Sequence, residues 1–90
     1  MTNAELEFTS IIHKPKFISK DVVLNVGDFV VGLYAYQNIS GIIVKVNKSV
    51  VVIKKYNQNY DEFTNTNELV NLTKKRIFQV GLINNQKLID

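Results

Sequence analysis

The sequence predicts an all-β domain, a small antiparallel barrel suited to binding. Three observations carry that expectation. The stretch Gly27 to Tyr56 holds three apolar runs, each too short for an ordinary helix. Val, Ile, Phe and Tyr dominate the runs, and β-branched and aromatic side chains lose rotamer freedom in helices but pack well on a pleated surface. The runs are separated by Gln37-Asn38-Ile39-Ser40-Gly41 and by Asn47-Lys48-Ser49. Their Asn, Ser and Gly supply the local hydrogen bonds or positive φ that turns need. The stretch therefore reads as a three-strand antiparallel meander.

Residues 1–24 read as an N-terminal extension, strand or arm. Thr2-Asn3-Ala4-Glu5 fits a capping box. The next residues do not sustain a helix, because Leu6, Phe8, Ser10 and Ile12 alternate with Glu5, Glu7, Thr9 and Ile11. A strand at the barrel edge is expected there. Lys14-Pro15 ends it, since proline donates no N–H and pushes the preceding residue to an extended conformation. Phe17 and Ile18 form a short apolar patch, and Ser19-Lys20-Asp21 reads as a turn. Val22, Val23, Leu24 and Val26 then lead to Gly27-Asp28 as an irregular strand or an arm across the barrel mouth.

Residues 25–80 are expected to form the barrel itself. In its first strand Phe29, Val31, Leu33 and Ala35 share one face, and Val30, Gly32, Tyr34 and Tyr36 share the other. Both faces are apolar, so both are expected to be covered for part of the length. In the second strand Lys45 and Asn47 mark the solvent side and place Val44 and Val46 inside. The third strand, Val50 to Tyr56, ends in Lys54-Lys55 and is expected to leave the core there. Residues 57–68 are polar and Asn-rich around Tyr60 and Phe63, and read as a long loop or one helical turn. Leu69 to Leu72 and Arg76 to Val80 supply the last strands, split by Thr73-Lys74-Lys75. Residues 81–90 form a tail that reads as a closing hairpin or a short helix.

Ninety residues are one domain's worth of chain. The absence of cysteine excludes disulfides and thiolate metal sites and favours a reducing, cytoplasmic setting. No signal peptide and no apolar run near the bilayer-spanning length is present, so no membrane partner is expected. Asn38, Asn47 and Asn71 begin N-x-S/T triplets, read as chance products of an Asn-rich chain. The net charge of +3 is a mild excess, compatible with an anionic partner but not diagnostic of one.

The run Val26-Gly27-Asp28-Phe29-Val30, then Gly41-Ile42-Ile43-Val44-Lys45-Val46-Asn47, then Ser49 to Ile53 resembles SH3-like barrels of the KOW and Tudor type. The likeness is to small proteins of this kind from Gram-positive bacteria and their phages. It covers about residues 26–80 and implies an SH3-like barrel of about five antiparallel strands. KOW-type relatives often touch RNA, ribosomes or RNA polymerase, and Tudor-like ones grip peptides with an aromatic cage. The chain departs from the first group in its weak basic charge and shows no assembled cage motif.

Catalysis has little support. His13 is the lone histidine and reads as a surface or packing residue, Asp28 as an acceptor of turn N–H groups, and Asp61-Glu62 as a solvated pair. No nucleophile elbow or phosphate loop occurs, and neither metal nor cofactor is expected. The basic residues offer more. Lys45, Lys48, Lys54, Lys55, Lys74, Lys75 and Arg76 lie on or beside strands that a meander brings together, with Tyr56 and Tyr60 among them. Cations bind phosphates and tyrosine rings stack on unpaired bases, so the set suits single-stranded nucleic acid. The plainer reading is that edge lysines keep strands from pairing with other chains. Tyr34 and Tyr36 are either anchors for a protein partner or plugs of the barrel's open end. The expected role is non-enzymatic binding to nucleic acid or to a nucleic-acid machine such as polymerase or ribosome. The alternative is a protein-interaction factor, such as a phage protein that docks on and inhibits a host enzyme.

Overall fold

The computed structural model describes residues 16–90. The strand expected over residues 5–12 and His13 lie outside the described residues. Among the described residues six strands form one sheet: β1 (Phe29–Tyr34), β2 (Gln37–Val46), β3 (Val50–Asn59), β4 (Glu62–Thr73), β5 (Ile77–Val80) and β6 (Lys87–Ile89). A single 3₁₀ turn, Lys74–Arg76, separates β4 from β5. The spatial order is β5-β1-β2-β3-β4-β6. β1 to β4 run antiparallel in sequence, β5 returns to pair antiparallel with β1, and β6 lies parallel to β4. The sheet curls into a half-barrel. The expected all-β meander is present, with six strands rather than about five and one of them parallel.

Gly32 marks where the curl tightens. A Cβ on it would stand 2.8 Å from the Arg76 carbonyl oxygen and 3.0 Å from the Leu72 side chain. Only a residue without a side chain lets β1 pass this close to the far end of β4.

Apolar clusters occupy both faces of the sheet, as the two apolar faces of β1 predict. On the concave face Val30, Ile39, Ile43, Val51, Ile53, Leu72 and Ile77 pack together, capped by Ile18 and Leu24 of the segment before β1. That segment is an arm rather than a strand. It is tied down where the Ile18 N–H donates to the Ile77 carbonyl and the Gly27 N–H donates to the Ile43 carbonyl. The expected turn at Ser19 is there, with the Val22 N–H donating to the Ser19 carbonyl and the Asp21 N–H donating to Ser19 Oγ. Asp28 takes its expected role: its carboxylate accepts the Asn25 N–H at 2.9 Å. On the other face Phe29, Val31, Tyr56 and Phe63 form a second cluster, with Phe29 and Phe63 edge to face at 4.8 Å between ring centres.

Several expectations fail, each for a physical reason. The first turn is Ala35-Tyr36, and Gln37 to Gly41 belong to β2. Ser40 and Gly41 serve a close strand crossing instead. Ser40 Oγ donates to the Tyr56 carbonyl at 2.8 Å, and a Cβ on Gly41 would collide with the Lys54 carbonyl. Val44 and Val46 are not core residues. They are 39% and 36% exposed, whereas Ile43 is fully buried. β1 begins opposite Ile42, so among the described strands β2 beyond Ile43 pairs with β3 alone, and a bulge between Ile43 and Lys45 breaks the alternation.

The third strand does not leave the core at Lys54-Lys55. It continues to Asn59, and Tyr56 is 6% exposed, with its hydroxyl donating to the Asp90 carboxylate. Residues 57–68 are not a loop or helical turn but a hairpin with a tight Tyr60-Asp61 turn. They are polar because little covers this part of β3 and β4; Phe63, fully buried, is the exception. The tail is neither hairpin nor helix: Lys87–Ile89 adds to β4 through Glu62, Phe63 and Thr64. Among the described residues no helix is long and apolar enough to cross a membrane.

Candidate functional site

A groove of about 690 Å³ lies where the arm, the β2–β3 turn and the 3₁₀ turn meet. Local structure explains the meeting. Antiparallel pairing sets Val50 opposite Thr73, so β4 ends beside the start of β3. The Lys74 N–H then donates to the Ser49 carbonyl at 3.0 Å and locks the 3₁₀ turn against the β2–β3 turn. On the other side, the Ile18–Ile77 hydrogen bond holds the arm so that the Ser19 turn faces both.

Among the described residues four lysines line this groove: Lys20, Lys48, Lys74 and Lys75. Ile18, Val22 and Leu24 supply apolar wall, and Ser49 and Thr73 add hydroxyls. Among the described residues no carboxylate lines it. Lys20, Lys48 and Lys75 are exposed and Lys74 is half-buried, so their mutual repulsion is screened, and an entering anion meets the lysines' positive charge. The hydroxyls and the lysine donors match the acceptors of a phosphate or another oxyanion. The groove contains no arginine fork for bidentate recognition, so it reads charge rather than geometry.

Of the residues picked out from sequence, the fold brings Lys48, Lys74 and Lys75 together here. Arg76 ends the same 3₁₀ turn, its guanidinium 5.9 Å from the Phe17 ring centre. The others do not join. Lys54 and Lys55 are mid-strand neighbours on opposite faces of β3, and Lys55 is 3.6 Å from the Glu68 carboxylate, a partly exposed pair of small energetic weight. Lys45 is exposed beyond the β2 bulge and does not line the groove. Tyr56 is a core residue, with no ring face open for stacking. Tyr60 is exposed, but at the far end of the β3–β4 hairpin, about 30 Å of strand away from Val50. It lines a separate, more open concavity of about 750 Å³, in which Asp61 and Glu62 face Lys87. Mixed charge there gives no preference for an anion.

Sequence reasoning missed two features. Lys20 enters the groove from the arm, and the signal for it was its place in the Ser19 turn. The second is the conformation of the β1–β2 turn. Ala35 and Tyr36 have φ of 50° and 67°, Tyr36 is completely exposed, and Tyr34 is half exposed. Neither ring plugs the barrel. Comparisons of the chain with family models, with curated proteins and with solved structures find no match.

Proposed function

We propose that the chain is a non-enzymatic, SH3-like binding module whose ligand is nucleic acid, free or within a machine such as polymerase or ribosome. The observation that carries this reading is the convergence of Lys20, Lys48, Lys74 and Lys75 on one groove with no lining carboxylate among the described residues. These four come from three separate segments of chain: the arm, the β2–β3 turn and the 3₁₀ turn. Solubility alone does not require cations from distant segments to share a concavity. A solvated-face reading of the lysines accounts for Lys45 and Lys54 but not for this clustering.

The size of the patch sets the expected behaviour. Four phosphate contacts give a slope of log affinity against log salt of about −3 for a single strand, taking about 0.7 per neutralised phosphate. Affinity is therefore modest and strongly salt-dependent. Titration of labelled oligonucleotides by fluorescence anisotropy at several salt concentrations tests this. Lys74→Glu with Lys48→Glu is expected to abolish binding while the melting temperature holds, because Lys48 is exposed and Lys74 is only half-buried. A salt-independent affinity, or binding that survives both reversals, contradicts the reading.

A further inference from the structure

We infer that the tip of the β1–β2 hairpin extends the lysine groove into a track for an unpaired nucleic-acid strand, with Tyr36 and Tyr34 as stacking platforms for its bases. This rests on the reading of the groove as a phosphate site and adds the class of nucleic acid it takes.

The first support is conformational. A two-residue hairpin turn with positive φ at both central positions matches the right-handed twist of its strands, and the residues that adopt it readily are Asn and Gly. Here they are Ala35 at 50° and Tyr36 at 67°. A bulky residue in the left-handed region is a steric outlier that persists only where something compensates. Packing does not compensate, because the Tyr36 side chain is as exposed as a side chain in an extended peptide. The chain therefore holds an aromatic ring in water, on a turn unsuited to it. A ligand contact supplies the missing reason.

The second support is placement. Gly32 lies against the Arg76 carbonyl at the end of the 3₁₀ turn. Period-two alternation puts Tyr34 on the same face of β1 as Gly32, two residues or about 7 Å further along. β1 thus leads from the Arg76 end of the 3₁₀ turn, beside the groove, to Tyr34 and then to Tyr36 at the turn. Cations followed by exposed rings is the order a single strand needs, with its backbone along the charges and its bases against the rings.

The third consideration selects the ligand form. In a duplex, base faces are stacked on one another and offer nothing to a tyrosine. Splayed bases of a single strand do, and stacking is sequence-tolerant because every base has a π-face. RNA and DNA share this chemistry, so both are probed.

The experiment uses the full chain and anisotropy titrations with labelled oligo-U, oligo-dT and a matched duplex, each of about 12 units, within the usual site sizes. Wild type is expected to bind both single strands more tightly than the duplex. Tyr36→Ala is expected to weaken single-strand binding by about 5- to 150-fold, and Tyr34→Ala by less, with duplex affinity unchanged. Tyr36→Phe is expected to retain binding, since the ring and not the hydroxyl stacks. Preference for oligo-U over oligo-dT would assign the strand as RNA, and equal binding would assign recognition to the shared backbone and bases. If Tyr36→Ala binds single strands like wild type while Lys74→Glu abolishes binding, the track is refuted but the phosphate groove stands. That outcome would leave the exposed tyrosines to a protein partner. If wild type binds neither form at low salt and about 100 μM protein, both readings fall.

Discussion

Replacing Ala35-Tyr36 by Asn-Gly is expected to make the protein more stable. Both residues sit at positive φ, at 50° and 67°, in the turn that joins β1 to β2. An L-residue in the left-handed region costs roughly 1–2 kcal/mol, and Asn and Gly tolerate the region far better. Two residues of relief therefore amount to about 2–4 kcal/mol. Against this, Gly loses roughly 0.5–1 kcal/mol more backbone entropy on folding than Ala does, and Asn retains part of the left-handed cost. Nothing further is subtracted for lost packing, because Tyr36 is wholly exposed and Ala35 lies at the tip beside it. The net expectation is a gain of about 1 kcal/mol or more, which for a domain near this size raises the melting temperature by roughly 4–8 °C. Urea denaturation is the cleaner assay: the midpoint should rise with an unchanged slope, since the buried surface is the same. A lower midpoint would refute the reasoning, because it would mean the tyrosine ring makes a stabilising contact rather than standing free. Combined with the oligonucleotide titrations, the variant separates stability from binding. A chain that becomes more stable while losing affinity is the signature of strain retained for function.

Two further outcomes test the fold. Ile43→Ala should cost about 2–5 kcal/mol by leaving a cavity among Val30, Val51 and Ile53, whereas Val46→Ala, at the rim, should cost less than about 1; equal effects in urea denaturation would invalidate the bulge between Ile43 and Lys45. Tyr56 is held protonated to higher pH than an ordinary phenol, chiefly by the hydrogen bond to Asp90, then by burial and by the nearby carboxylate charge. A phenol whose pKa is raised on folding contributes stability that is complete below about pH 10 and is lost as pH climbs through the folded value. Wild type should therefore weaken in alkali beyond about pH 10, and Tyr56→Phe should lose about 0.5–1.5 kcal/mol at neutral pH while showing a shallower alkaline decline. Parallel alkaline curves for the two proteins would contradict this.

Residue type and alternation alone were enough to determine the β class, the meander, the two apolar faces of β1 and the break between β4 and β5. Those features depend on local chemistry: β-branched runs prefer extended backbone, and Phe29, Val30 and Val31 have no polar face to turn outward. What tertiary structure decided was where each strand stops being covered. Alternation marks Val46 as an inside residue, yet β2 outruns β1 after Ile42 and Val46 is left more than a third exposed there. Polarity marks residues 57–68 as a loop, yet an exposed hairpin has the same composition, and it is the pairing of Phe63 with Gln58 of β3 that carries its ring into the second cluster. Ser40 and Gly41 look like turn residues because a turn and a tight strand crossing ask for the same small side chains. The candidate site divides in the same way. Lysines were visible as charges, but which of them meet depends on a hydrogen bond from the Lys74 N–H to the Ser49 carbonyl and on an arm docked at Ile77. Tyr56 and Tyr60 are identical in type, and only their neighbours place one in the core and the other at the far tip. The left-handed turn at Ala35-Tyr36 left no sequence signal at all, because its conformation is imposed by the register of β1 on β2 rather than preferred by the residues that adopt it.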